Sequence, residues 1–101
     1  MVGKMNNWKR KDTSYQKTWV HKHHINVRVI IKTNHDRLIG AKYVIIHYHP
    51  GPGGHVVKQP PEYTNTMADA EKRAYKHLRH WNDSSKWAGD PDYGNIGAAG
   101  T

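Results

Sequence analysis

The 101-residue chain contains no cysteine and no phenylalanine. Without cysteine there are no disulfides and no thiolate zinc sites, so the zinc-finger route to a small nucleic-acid-binding fold is closed. The same absence fits an intracellular setting. With no Phe and few Val, Ile and Leu, much of the apolar bulk falls to Trp and Tyr, present as four and six copies. No apolar run reaches the roughly 20 residues that cross a bilayer. The opening "MVGKMNNWKRKD" lacks the apolar segment of a signal peptide.

Acids are scarce as well. Eight Asp and Glu face sixteen Lys and Arg, a formal charge of +8 with histidine neutral. Solubility does not require that excess, and its usual partners are polyanions. The expected setting is therefore intracellular and cytoplasmic, associated with nucleic acid or nucleoid and not with membrane. Nine histidines add a reserve of charge below pH ~6.5. Low aliphatic content with high net charge predicts one small core with loose ends.

Residues 1–19 read as a flexible, basic, aromatic arm. Lys4, Lys9, Arg10, Lys11 and Lys17 face one acid, Asp12, with Trp8, Tyr15 and Trp19 interleaved. No helical or strand period holds across it. Residues 20–83 read as the domain, and 84–101, rich in Gly, Ala and Asp, as a flexible tail.

Within the domain, "HHINVRVIIKT" (23–33) alternates with period two. Ile25, Val27, Val29 and Ile31 share one face, and Asn26, Arg28, Ile30 and Lys32 the other, which predicts a half-buried strand. "AKYVIIHYH" (41–49) is a second strand with apolar residues on both faces. "PGPGG" is a turn, "HVVKQ" (55–59) a third strand, and Pro60-Pro61 ends it because neither proline donates to a ladder. A helix is predicted over Met67–Trp81. Thr66 with Asp69 forms a capping pair, acids open the helix, bases close it, and Met67, Ala70, Ala74, Leu78 and Trp81 make its apolar stripe. The predicted fold is α+β: a three-stranded antiparallel sheet packed by one C-terminal amphipathic helix.

Three motifs invite chemistry. His47-Tyr48-His49-Pro50 resembles the zinc-binding segment of JAMM metalloproteases. That family also needs a Ser and an Asp downstream, and those places hold Val57 and Pro60, so a protease is excluded. His47 and His49 flanking an aromatic residue also resemble the HUH endonucleases, which would imply a metal-dependent DNA nickase with Tyr75 as nucleophile. Three residues after Tyr75, where that family usually carries Lys, stands Leu78. "GPGGH" runs from strand to strand, so it is a hairpin turn and not a phosphate loop. The histidine pairs read as surface groups and not as a metal centre. The sheet followed by "TMADAEKRAYKHL" is also loosely similar to the arm-binding domains of tyrosine integrases and to the end of a double-stranded-RNA-binding domain.

The reading that best absorbs the basic-aromatic pattern is a non-enzymatic nucleic-acid-binding protein. Lys and Arg would take phosphates while Trp and Tyr stack. The candidate contacts are Trp8, Lys9, Arg10, Lys11, Tyr15 and Lys17 in the arm, and Arg28 and Lys32 on the first strand. Lys42 and Tyr43 at the second strand and Lys72, Arg73, Lys76 and Arg79 on the helix complete them. No catalytic residue, metal or cofactor is assigned. The alternatives are a small inhibitor or adaptor that binds an acidic protein partner, and the nickase. A sheet edge offers a route to a homodimer. The facing of the second strand matters. With Tyr43, Ile45, His47 and His49 turned from the helix, they form a polar-aromatic stripe suited to nucleic acid. With them turned toward it, Val44, Ile46 and Tyr48 are exposed, which favours a protein partner.

Overall fold

The computed structural model describes residues 6–52, 55–90 and 93. Six antiparallel strands and one main helix confirm the α+β class, with twice the expected number of strands. The strands are β1 (Trp8–Arg10), β2 (Gln16–His21), β3 (His24–Thr33), β4 (Tyr43–Pro50), β5 (Val56–Lys58) and β6 (Glu62–Thr64). The helix α1 spans Met67–His80, and a 3₁₀ helix follows over Ser84–Gly89.

The sheet runs β1-β2-β3-β4-β5, with β6 also paired to β4. β5 meets β4 at residues 48–50 and β6 meets it at residues 43–45. They share one edge, and Pro60-Pro61 explains the break between them: without N–H groups, neither can extend the ladder. Gln59 makes the last contact before the break, its N–H donating to His47 O at 3.0 Å.

β1 and β2 correct the expectation of an irregular arm over these residues. Their ladders place Trp8 opposite His21, Arg10 opposite Trp19, and Trp19 opposite Val29. Trp8 is buried, packs edge-on to His21 at 5.0 Å, and donates its indole N–H to Leu78 O. Asn7 Nδ2 donates to Asn82 O. The supposed arm thus closes the core against the helix C-terminus.

Position 84 onward begins in a similar way. Asp83 caps the 3₁₀ turn, and Trp87 Nε1–H donates to Trp81 O while its ring meets His21 at 4.8 Å. The rest of the expected tail, apart from Asp90 and Tyr93, lies outside the described residues.

The core is a sandwich of one helix on one sheet face. Val27, Val29, Ile31, Ile45 and Trp19 meet Ala70, Ala74, Leu78 and Trp81. The alanines bring the helix backbone close to β3 and β4. Thr66 caps the helix as expected, its side chain accepting from Asp69 N–H at 3.1 Å. That bond satisfies one of the free N–H groups of the first turn. Thr66→Ala is expected to lower stability by about 1 kcal/mol, read as a shift in urea midpoint with an unchanged slope.

Candidate nucleic-acid interface

The register decides which side chains share a face, because opposed residues point to the same side of a sheet. One cross-strand row is Lys9–Val20–Arg28–Tyr48–Lys58. The next is Thr18–Ile30–Ile46, and a third is Gln16–Lys32–Val44–Tyr63. These rows lie on the face away from α1, since their neighbours Val27, Val29, Ile31 and Ile45 form the core under the helix.

No row contains an acid. The described acids lie elsewhere: Asp12 pairs with Arg10, Glu71 with Lys17, Glu62 with Arg73 and His77, and Asp90 with His80. Asp36 caps a loop, Asp69 stands in the first turn of α1 and Asp83 caps the 3₁₀ helix. Lys9, Arg28, Lys32 and Lys58 make no ion pair among the described residues. Cations with no ion pair among the described residues also stand on α1, at Lys72, Lys76 and Arg79, so what sets the open sheet apart is that its rows hold cations and tyrosines with no acid among them.

Tyr48 sits in the middle of these cations. The Arg28 guanidinium lies 4.7 Å from its ring centroid and Lys58 Nζ lies 5.9 Å away. Arg28 Nε is buried without a hydrogen-bond partner. The guanidinium lies over the Tyr48 ring and meets no carboxylate among the described residues. Beside it, a groove of about 280 Å³ runs along the face, lined by Lys32, His35, Val44, Ile46, Lys58 and Tyr63. Its floor is apolar and its rim is cationic, a combination suited to a planar base with its phosphate.

The sequence candidates divide among three places. Lys9, Arg28 and Lys32 stand on the open face. Lys72, Arg73, Lys76 and Arg79 lie on α1, in the opposite layer, with Arg73 bonded to Glu62. Lys11, Tyr15, Lys17, Lys42 and Tyr43 gather at the end of the sheet where β2 begins and β3 ends. Arg10 is engaged by Asp12 and stacked on Trp19. Tyr43 packs against the core. Trp8 is inside. Tyr48, Lys58 and Tyr63 escaped the sequence reading. Pairing β5 back onto β4 across the "PGPGG" turn places Lys58 opposite Tyr48, so a register drawn from that turn would have found it.

The histidines of β4 take the other facing. His47 and His49 turn inward and are buried under the last turns of α1. His47 stacks on His77 at 4.0 Å, and His49 lies parallel to the Trp81 ring at 4.9 Å. His49 Nδ1–H donates to Pro50 O, leaving Nε2 to accept from the Gln59 amide. Neither ring nitrogen of His47 meets a hydrogen-bond partner. Burial, then the proximity of His77, His49 and His80, pushes its pKa down to about 2. On β2, His23 N–H donates to His21 Nδ1, so His21 Nε2 carries the proton and donates to Asn82 O. Tyr75 packs edge-on to Trp19, away from the His47–His49 pair. Among the described residues no three His, Asp or Glu side chains are grouped to hold a metal ion. No helix of the described residues is long and apolar enough to cross a membrane.

Compared with known proteins, the chain matches no family model, no curated protein and no solved structure at a significant level.

Proposed function

We propose that the protein binds nucleic acid through the open face of its sheet. The observation that supports this reading is that Lys9, Arg28, Lys32 and Lys58 share one acid-free face with Tyr48 and Tyr63. The cations take phosphates and release counterions. Tyr48, already flanked by Arg28, and Tyr63 in the groove offer stacking surfaces. Sequence preference is modest, because the contacts proposed are to phosphates and to base faces and not to base edges.

The test is a titration of labelled duplex and single strand across a salt series. Each phosphate contact contributes a slope of about 0.9 in log K against log[salt] for duplex. Lys32→Gln with Lys58→Gln is expected to reduce that slope by nearly two contacts, while Lys72→Gln with Lys76→Gln on the helix leaves it unchanged. No binding at low salt, or a larger loss from the helix pair, overturns the proposal.

A second reading, an acidic protein partner, is the one that the inward facing of Ile45, His47 and His49 favours, and it rests on the apolar floor of the same groove, Val44 and Ile46. A partner recovered after nuclease treatment, with no binding to purified nucleic acid, selects it.

A further inference from the structure

We infer that the β1–β2 and β3–β4 loops form an apolar wedge that enters a nucleic-acid duplex between base pairs. The inference rests on the nucleic-acid reading and gives its site a mode of engagement.

The two most exposed large apolar side chains of the described residues are Leu38, at 97% of its full exposure, and Tyr15, at 85%. Leu38 lies between β3 and β4, and Tyr15 between β1 and β2. Gln16 pairs with Lys32 and Thr33 with Tyr43, so both loops emerge from the same end of the sheet. A single exposed leucine is ordinary, but two large apolar tips raised at one end of the sheet among cations offer a contact surface.

Both loops are held in shape by their own hydrogen bonds. Asn34 Nδ2 donates to Ala41 O at 2.8 Å, and Asn34 Oδ1 accepts from Asp36 N–H. Asp36 Oδ1 accepts from Leu38 N–H at 3.0 Å, and Ile39 N–H donates to Asp36 O. Gly40, at φ 66°, supplies the left-handed step that returns the chain to β4. In the other loop, Tyr15 N–H donates to Thr13 Oγ1 and Thr13 N–H to Gln16 O. A tip that is preorganised loses little entropy when it inserts.

The surrounding charge selects the occupant. Arg37 adjoins Leu38, and Lys11, Lys32 and Lys42 stand at the same end, all exposed. Asp36 is the one acid of the β3–β4 loop, exposed and accepting from Leu38 N–H through Oδ1, and Asp12 is paired with Arg10. An apolar point ringed by cations fits a base step flanked by phosphates. Architectural proteins use this chemistry when a leucine or similar wedge unstacks a step and kinks the duplex. The groove of the open face begins at Asn34 and His35, at the foot of the same loop. A duplex kinked at Leu38 would therefore continue onto Lys32 and Lys58.

The experiment uses the full chain and a short duplex with 2-aminopurine at a flexible TA step, end-labelled for energy transfer. The wild type is expected to raise 2-aminopurine fluorescence and shorten the end-to-end distance. Leu38→Ala, whose side chain is in solvent and not needed for folding, is expected to keep the salt dependence of binding. It should lose most of the fluorescence rise and about tenfold in affinity, with Tyr15→Ala losing less. Duplex binding without unstacking, or unstacking unchanged in Leu38→Ala, overturns the wedge and leaves the sheet-face reading standing. No binding to any nucleic acid overturns both. Capture of anionic vesicles that depends on Leu38, without duplex unstacking, also overturns the wedge, because the loop then serves a lipid surface.

Discussion

Lowering the pH from about 7 to about 4.5 is expected to remove roughly 2–3 kcal/mol of folding stability through His47. The unfolded chain binds a proton at His47 near the ordinary value of 6.5, whereas the folded protein holds off that proton until about 2. Between those values the unfolded state carries more protons, so stability is present above pH 6.5 and drains at about 1.4 kcal/mol per unit below it. The imidazole is trapped neutral between β4 and α1. Around it stand His77, His49 and His80, and Glu62 pairs with His77 and not with His47. His21 is pushed down too, mainly by burial, and works in the same direction. Glu62, held below its usual range by His77 and then Arg73, adds stability that is lost only at lower pH. Urea titrations at several pH values measure the slope. His47→Leu is expected to flatten it by one proton and to stabilise the protein near pH 7, since two unpartnered buried nitrogens disappear. An unchanged slope in that variant would refute the assignment.

That prediction turns on the facing of β4, which was not legible in the sequence. Residues 43–50 carry apolar or aromatic groups on both faces, so period two has no contrast to display. The facing comes from β3, whose alternation is clean because one face carries Val27, Val29 and Ile31 and the other Arg28 and Lys32. Pairing Val29 with His47 then draws the histidines inward. The helix was legible because Thr66, Asp69 and the alanine stripe all agree on one start and one buried side. β1 and β2 were not. Trp8 and Trp19 are the only large apolar groups on the buried face of their strands, and Lys17 and Arg10 share that face at its rim. β6 is three residues long, too short to show a period. The cations of the open face were half visible. Arg28 and Lys32 stood out on an alternating strand, while Lys58 and Tyr48 became neighbours only once β5 folded back.

Trp81→Ala is expected to be the most damaging single change in the core, costing about 3–5 kcal/mol. A domain of this size has about 5–15 kcal/mol in total, so that loss leaves the variant close to unfolding. Trp81 is 2% exposed and caps α1, its N–H donating to His77 O. Its ring covers His49 face to face and His80 edge-on at 4.6 Å. Its carbonyl holds Trp87, which lies against His21. One residue therefore joins β4 and the end of the helix through its ring and the 3₁₀ turn through its backbone carbonyl. The aliphatic core alone is small: Leu78 is the only leucine in it, and alanines fill the rest of the helix stripe. An alanine at 81 opens a cavity that these neighbours cannot close, and exposes the His49 ring to water. Trp81→Phe keeps the flat face over His49 and is expected to lose less than half as much. Urea unfolding followed by far-ultraviolet circular dichroism separates the two. A loss below about 1 kcal/mol for the alanine variant would mean that the closure of the core lies with Trp8 and Trp19 instead.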